Sequence, residues 1–369
     1  MDPEFNFESY QYDLPPDQIA QFPVEIRHKS RLFVMDCRND TMQDMNFTDI
    51  VNSFHPGDLL VVNDTKVFPA RLEGKKDTGG KVELFLLEYP DFNNVEKTAG
   101  NEYSQKKQCL TVTGLIKSSK RPKVGSRFNF SPALEGELLQ YLADGKAIVK
   151  LFFDITVDGH PEEILMQCGR VPLPPYIHRD KEDHPNDHER YQTLFARKSG
   201  AIAAPTAGLH FSEELLQKLK DHTIQIAPIT LHVGYGTFAP VRVKDIRQHK
   251  IHEEYVEVST KTAELINQTL KKGKKVWAVG TTTVRTLEFA ANNDGQVEAI
   301  KGWCGLYIYP GYKFKVVNGL VTNFHLPGSS LLFLVAALVG KSNILHAYQK
   351  AIQLGYRFYS YGDAMLIIT

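Results

Sequence analysis

Three histidines carry the most suggestive surroundings in this sequence. His210 lies in "AAPTAGLHFS", behind Pro205, Thr206 and Gly208 and just ahead of a run with helical spacing. His232 opens "HVGYGTF", and His325 sits in "TNFHLPGSS" after Asn323. Each ring stands close to glycine or proline, residues that let a loop turn tightly or approach a ligand. Histidine ordinarily titrates near neutrality, so it is suited to take and return a proton there. A fourth loop, "YRFYSYGDAMLI", adds Tyr361 and Asp363 just before an apolar strand. A lone histidine is more often a packed structural residue than a catalyst. With "AVGTTTVRTLE", the loops of His210, His325 and Asp363 make four polar, glycine-bearing loops, mostly at strand ends, and these weigh more together because α/β folds bind ligands there.

"AVGTTTVRTLE" is built alike. It carries an apolar strand through Gly280 into Thr281, Thr282 and Thr283, then into a helix with Arg285. Backbone N–H groups at a helix start suit a carboxylate or ribose. The same threonines equally suit N-capping. Other likenesses fail. "LVGKS" has Val335 where a phosphate-binding loop needs its first glycine. "LHVGYGTF", with Glu254 further on, is similar to a methyltransferase glycine loop, but His232 holds the usual acidic place. Gly234, Tyr235, Gly236 and Thr237 read instead as a close approach to a ligand. His249 and His252 with Glu253 lack a clear third ligand, so no metal is expected.

The elements that must position these loops follow from periodicity. "SRLFVMD" and "GDLLVVND" read as buried strands. Between 71 and 154 about six strands occur without a helix, with hairpin signals at Thr78-Gly79-Gly80 and Asp144-Gly145 and a long loop over 90–107. Such a set suits a small closed barrel, which removes exposed edges. Beyond "GRVPLPPYIHR" helical spacing appears over 212–220, 260–271, 284–291 and 330–339. It alternates with strands such as "IQIAPITLHV", "KKVWAVG", "GLYIYP" and "AMLIIT". The expected fold is α/β: a mainly parallel sheet with helices on both faces, formed by 1–70 plus 155–369, carrying an inserted barrel of about six strands over 71–154.

The chain has 369 residues, enough for about two domains. Lys plus Arg and Asp plus Glu both count 43, which argues against a protein that coats nucleic acid indiscriminately. It leaves room for a local basic patch at Lys117, Lys120, Arg121 and Lys123. Cys37, Cys109, Cys168 and Cys304 form no C-x-x-C pair and fit a reducing compartment. The apolar stretch over 331–339 is too short for a bilayer, and no signal peptide is read. A cytoplasmic protein is expected.

"NDTKVFPARL", "GRVPLPPYI", "YQTLFARKSGAIAAPTAGLHFS", "LHVGYGTFAPVR", "VGTTTVRTLE", "TNFHLPGSSLLFLVAALVG" and "YRFYSYGDAMLI" run nearly the whole chain in order. In this the sequence resembles the QueA family of queuosine biosynthesis, the S-adenosylmethionine:tRNA ribosyltransferase-isomerases. The resemblance implies an α/β domain with an inserted β-barrel. It also implies transfer and isomerisation of the ribosyl part of S-adenosylmethionine onto 7-aminomethyl-7-deazaguanine at the tRNA wobble position. Epoxyqueuosine-tRNA forms, and adenine and methionine leave. S-adenosylmethionine is then a consumed cosubstrate, with no cofactor, no metal and no membrane, and the chain is a monomer.

That chemistry asks for a base beside the sulfonium and an acid for departing adenine. On this resemblance the catalytic set is His210, His232, His325 and Asp363. The substrate-binding set is Asn63, Arg71, Tyr191, Thr206, Gly208, Phe211, Gly234, Tyr235, Gly236, Thr237, Gly280, Thr281, Thr282, Thr283, Arg285, Asn323 and Tyr361. Phe211, Tyr235 and Tyr361 offer rings to a sulfonium, and Arg285 a guanidinium to the methionine carboxylate. Lys117, Lys120, Arg121 and Lys123 are the expected RNA contacts. Two other readings stay open: an S-adenosylmethionine-dependent RNA methyltransferase and a non-catalytic RNA-binding protein.

Overall fold

The computed structural model describes residues 2–97, 107–179, 186–238 and 240–369. The chain opens with β1 (Arg31–Asp36), β2 (Thr41–Asn46), β3 (Leu59–Asn63) and β4 (Thr65–Val67). An all-strand stretch follows: β5 (Arg71–Lys76), β6 (Lys81–Leu86), β7 (Glu96–Lys97), β8 (Lys107–Ser118), β9 (Arg127–Ser131), β10 (Leu134–Tyr141) and β11 (Lys146–Asp154). Next come α1 (Ile155–Asp158), α2 (Pro161–Cys168), α3 (Asp187–Arg190), β12 (Lys198–Ala201), α4 (Glu213–Asp221), β13 (Gln225–Leu231) and β14 (Glu254–Val258). The chain ends through α5 (Thr260–Lys271), β15 (Val276–Val279), α6 (Thr281–Ala290), β16 (Ile300–Cys304), β17 (Gly319–Asn323), α7 (Ser330–Val339), α8 (Lys341–Gln353) and β18 (Ala364–Ile368). Two compact units result. One comprises Met1–Lys66, Pro174–Lys198 and Ala204–Thr369, the other Val67–Leu173 and Ser199–Ala203.

The larger unit is built on a nine-stranded sheet in the order β16-β14-β13-β3-β15-β17-β18-β1-β2. Its parallel character is confined to the middle. β13, β3, β15 and β17 run parallel, as do β18 and β1. β17 meets β18 antiparallel, and hairpin-like pairings add antiparallel strands at both margins. The sheet is therefore mixed. Continuous apolar runs such as "LLVV" in β3 are buried because this strand is covered on both faces. At the edge, β2 leaves its polar residues exposed and its two methionines half-buried.

Leu32, Val34, Leu60, Val62, Trp277, Val279, Val321 and Leu366 occupy alternate strand positions. They share one core with Phe47, Phe211, Leu215 and Leu219. α5 and α6 pack on the same central strands, and their buried residues belong to none of that core. Side-chain caps start α4, α5 and α7: Ser212, Ser259 and Ser329 accept from Leu215, Thr262 and Leu332 N–H groups. α7 and α8 meet at 112°, and among the described residues no single helix is long and apolar enough to cross a membrane.

The smaller unit is a closed antiparallel barrel. Six strands follow the order β11-β10-β9-β5-β6-β8, and β8 pairs back onto β11. Strand β11 alternates buried Ala147, Val149, Leu151 and Phe153 with outward residues, the period-two pattern of a filled small barrel. Of the loop expected over 90–107, residues 98–106 lie outside the described residues. Glu96–Lys97 forms a short strand on β8.

Helix assignments read from periodicity hold for α4, α5 and α7 to within a residue. α6 begins three residues earlier than expected, so the threonine triplet is its first turn and not a loop. "GLYIYP" forms no strand; the ladder lies just before it in β16.

Candidate active site

Parallel strands end on the same side of a sheet. Asn63, His232, Gly280 and Asn323 therefore lie at or just past the C-terminal ends of β3, β13, β15 and β17, along one edge. β18 runs opposite to β17 with Asn323 opposite Ala364, so Asp363 comes to that edge too. β1 is parallel to β18, with Leu32 opposite Ala364, and this adds Ser30 and the 3-10 turn Arg27–Lys29. The topology thus gathers loops from both ends of the chain where an α/β sheet binds ligands.

His210 closes a 3-10 turn, Thr206–His210, seated on this edge. Gly208 is required there, because a Cβ would stand 2.9 Å from Thr193 Cγ2. The His210 ring is 4% exposed and lies 5.1 Å, centroid to centroid, from Phe47. Its Nδ1 is 2.8 Å from Ser30 Oγ and its Nε2 is 3.2 Å from Asn323 Nδ2. Asn323 Nδ2 also donates to the Tyr359 carbonyl at 3.0 Å, which fixes the amide's orientation. Nε2 is therefore the acceptor, and Nδ1 carries the proton and donates to Ser30. Burial pushes the imidazole down to about 4, against a smaller opposing pull from Asp363. At neutral pH the ring is a neutral base. Asn323 Oδ1 is buried without a partner, and Tyr359 holds a left-handed φ of 70° to meet the amide.

Asp363 is 2% exposed, and both its oxygens are hydrogen-bonded to groups other than His210. One oxygen accepts from Arg357 Nη2 at 2.9 Å and from Arg31 N–H at 3.2 Å; the other accepts from Arg357 N–H at 2.9 Å. It fastens the last loop to the start of β1. Beside His210 opens a small cleft lined by Arg27, Arg190, Leu209, His210, Ser360 and Tyr361, among others. Tyr361 donates to Asp187 at 3.3 Å and packs edge-on to fully buried Tyr191. Sequence reasoning did not single out Arg27, Arg190 or Ser30, since nothing in their own segments marks them.

The other expected residues form separate groups. His232 directly follows β13, three strand positions from β17, or roughly 14 Å at ~4.8 Å per strand. Its Nδ1 is 2.8 Å from Thr65 Oγ1, and its ring stacks on Tyr255 at 5.9 Å. Burial, then the Lys198 charge, lowers its pKa. Asn63 ties β3 to β13 through both Leu231 backbone groups and donates to Thr282 Oγ1 at 3.3 Å. Gly280 takes φ 88°, and a Cβ there would meet Ala207 at 3.8 Å, which sets α6 beside the His210 turn. Thr281 is buried, and Thr283 donates to the carbonyl of Val279, the last residue of β15, at 2.7 Å.

Arg285 is buried against Glu254, with further bonds to the carbonyls of Leu306 and Cys304. Glu254 also accepts from Gly234 N–H at 2.9 Å and Thr237 Oγ1 at 3.2 Å, so it shapes the glycine loop that carries the half-exposed Tyr235. A Cβ on Gly236 would run into the His252 ring. His325 faces Tyr348 and Thr322, away from the cleft, and burial pushes it down to about 3. Phe211 is fully buried between Phe47 and Phe195 and presents no ring to a ligand. The three histidines share an edge, but His210 alone of them lines the cleft, with Tyr361 but without Thr281, Arg285 or Asp363.

In the barrel, Lys117, Lys120, Arg121 and Lys123 are all exposed. Arg121 lies over the Tyr141 ring at 3.9 Å, and the Lys120 carbonyl accepts from Lys76 and Ser118, which pins this loop. Arg71 starts β5 and stands 3.7 Å from Glu83.

A family model described as queuosine biosynthesis protein matches residues 7–367. A protein of Desulfotalea psychrophila named S-adenosylmethionine:tRNA ribosyltransferase-isomerase is 50% identical over 370 residues, covering 100% of this chain and 99% of its own. A Clostridioides difficile protein of the same name is 46% identical, covering 97% of this chain and 98% of its own. The crystal structure of S-adenosylmethionine tRNA ribosyltransferase from Thermotoga maritima is 33% identical, with a TM-score of 0.52, over 99% of this chain and 100% of that one. With motifs, fold and nearly full-length identity in agreement, the chain belongs to the queuosine biosynthesis protein family.

Proposed function

We propose that the chain transfers and isomerises the ribosyl part of S-adenosylmethionine onto 7-aminomethyl-7-deazaguanine at the wobble position of tRNA, releasing adenine and methionine. Relatives carrying that activity in their names, matched over nearly their whole length, support the reading. The observation that carries it on the chain itself is His210, a neutral imidazole held between Ser30 and Asn323 beside a cleft at the ligand-binding edge of the sheet.

The sulfonium acidifies the neighbouring ribose carbon, and a positioned neutral base removes its proton. His210 Nε2 is that base, free to accept once the Asn323 amide gives way. Asn323 and Ser30 fix the tautomer, and Asp363 fixes the loop that carries Tyr361. His232 stands as a second proton carrier further along the edge; His325 positions the Asn323 loop. Asn63, Gly208, Gly234, Gly236, Gly280 and the threonines shape the edge that substrate approaches. Arg71 and the basic loop of the barrel hold RNA phosphates, and a flipped-out base stacks in the manner of single-stranded RNA recognition. The enzyme works as a cytoplasmic monomer, with S-adenosylmethionine as cosubstrate and no metal.

Incubation with S-adenosylmethionine and tRNA bearing the aminomethyl base tests this. Free adenine and methionine are expected. S-adenosylhomocysteine would favour a methyltransferase, and tight tRNA binding with unchanged S-adenosylmethionine a binding module.

A further inference from the structure

We infer that Arg27 and Arg190 form an oxyanion subsite beside His210, for the carboxylate of S-adenosylmethionine or a backbone phosphate of the tRNA. The choice of these two ligands rests on the proposed function; the subsite itself rests on how the two guanidinium groups are held.

Both line the cleft with His210 and Tyr361. Arg27 donates from its two terminal nitrogens to the carbonyls of Leu209 at 3.2 Å and Glu189 at 3.1 Å. Arg190 donates likewise to the carbonyls of Glu25, at 2.9 Å, and Val24. Backbone carbonyls thus orient both groups without neutralising either. Among the described residues neither forms an ion pair. Two nearby carboxylates are already committed, Asp187 to Arg179 at 2.6 Å and Asp363 to Arg357 at 2.9 Å, and the third, Glu189, is exposed to solvent. Arg190 Nε is buried with no partner at all.

The two cations also feel each other. Burial first, and then the charge of Arg190, lowers the pKa of Arg27, with only a partial offset from the exposed Glu189. Two like charges held together at a partly buried site are costly until an anion joins them. A planar fork with unused N–H groups is the donor that carboxylates and phosphates match best. Arg285, the guanidinium expected to take the methionine carboxylate, is also held by backbone carbonyls but differs in charge, since Glu254 already neutralises it.

The test compares the parent with Arg27→Gln and Arg190→Gln, each first checked for a parental melting transition. Binding of S-adenosylmethionine, of its decarboxylated analogue and of tRNA is measured separately by equilibrium dialysis. A carboxylate on the pair means that the variants bind S-adenosylmethionine about tenfold or more weakly. The parent then binds the decarboxylated analogue no better than the variants do. A phosphate on the pair means weaker tRNA binding with S-adenosylmethionine unmoved, and a salt slope reduced by about one per arginine. Folded variants that bind all three ligands like the parent overturn the inference. If the glutamine variants do not fold, Arg27→Lys and Arg190→Lys decide, since lysine keeps the charge and loses the fork; parental affinity in both then overturns it. A parent that binds these ligands but releases no adenine would instead sink the functional reading and leave the subsite standing.

Discussion

At the scale of single residues, His210 is defined by having both ring nitrogens engaged. Replacing it with alanine should slow adenine release by roughly a hundredfold or more if it carries the proton. The same change strands Ser30 and Asn323, so it should also cost about 1–3 kcal/mol in a urea titration. Parental turnover would remove His210 from the mechanism. Acid stability gives a second expectation. Burial depresses His210 to about 4 and His325 to about 3. An unfolded histidine titrates near ~6.5, so below that pH the unfolded chain gains protons that the folded chain refuses. Stability is therefore complete above pH ~6.5 and is lost as pH falls toward the folded values, by up to roughly 3 kcal/mol for His210 and roughly 5 kcal/mol for His325. Urea midpoints measured across that range check this, and a flat profile would contradict buried neutral rings. The sequence made His210 legible because glycine, proline and a helix start surround it. It could not show that Phe211 is core or that Arg285 is neutralised, because both facts depend on partners distant along the chain.

At the scale of elements, the legible part was the apolar period. The buried runs of β1, β3, β15 and β18 and the amphipathic α4 and α5 announce themselves. β2 does not, because an edge strand of mostly exposed residues carries little apolar signal. "GLYIYP" reads as a strand but forms none; the Leu306 carbonyl serves the Arg285 side chain at 3.1 Å. That buried arginine gives a sharp expectation. Glu254→Gln leaves the guanidinium of α6 uncompensated and should destabilise the fold by about 3–5 kcal/mol. An unchanged urea midpoint would mean that water or another group already screens this pair.

At the scale of the molecule, the formal charge sums to zero while Lys117, Lys120, Arg121 and Lys123 gather on one stretch of the barrel. The barrel itself was legible from hairpin turns and the lack of helical spacing, while its closure through β8 and β11 was inferred only from the need to hide edges. Reversing charge at Lys120, Arg121 and Lys123 should leave the fold intact, since all three are exposed. It should weaken tRNA binding and reduce its salt dependence. Filter binding over a range of salt reads both, and unmoved affinity would make the patch a solvated face.

β18 lies between β17 and β1, with Leu32 opposite Ala364. This register has a consequence for the order of events on the ribosome. β1 and β2 leave first and can pair with each other, and the barrel holds all its own partners and can close early. The central sheet must wait, since a strand near the start is completed by one at the end, a pairing of very high contact order. Until then β1 and β17 are open edges in the nascent chain, the kind of surface that chaperones shield and that aggregation exploits. A chain ending before Ala364 should therefore keep the barrel's slow-exchanging amides in hydrogen-exchange experiments while those of β1 and β17 exchange freely; equal protection in all three would show that the sheet closes without its last strand.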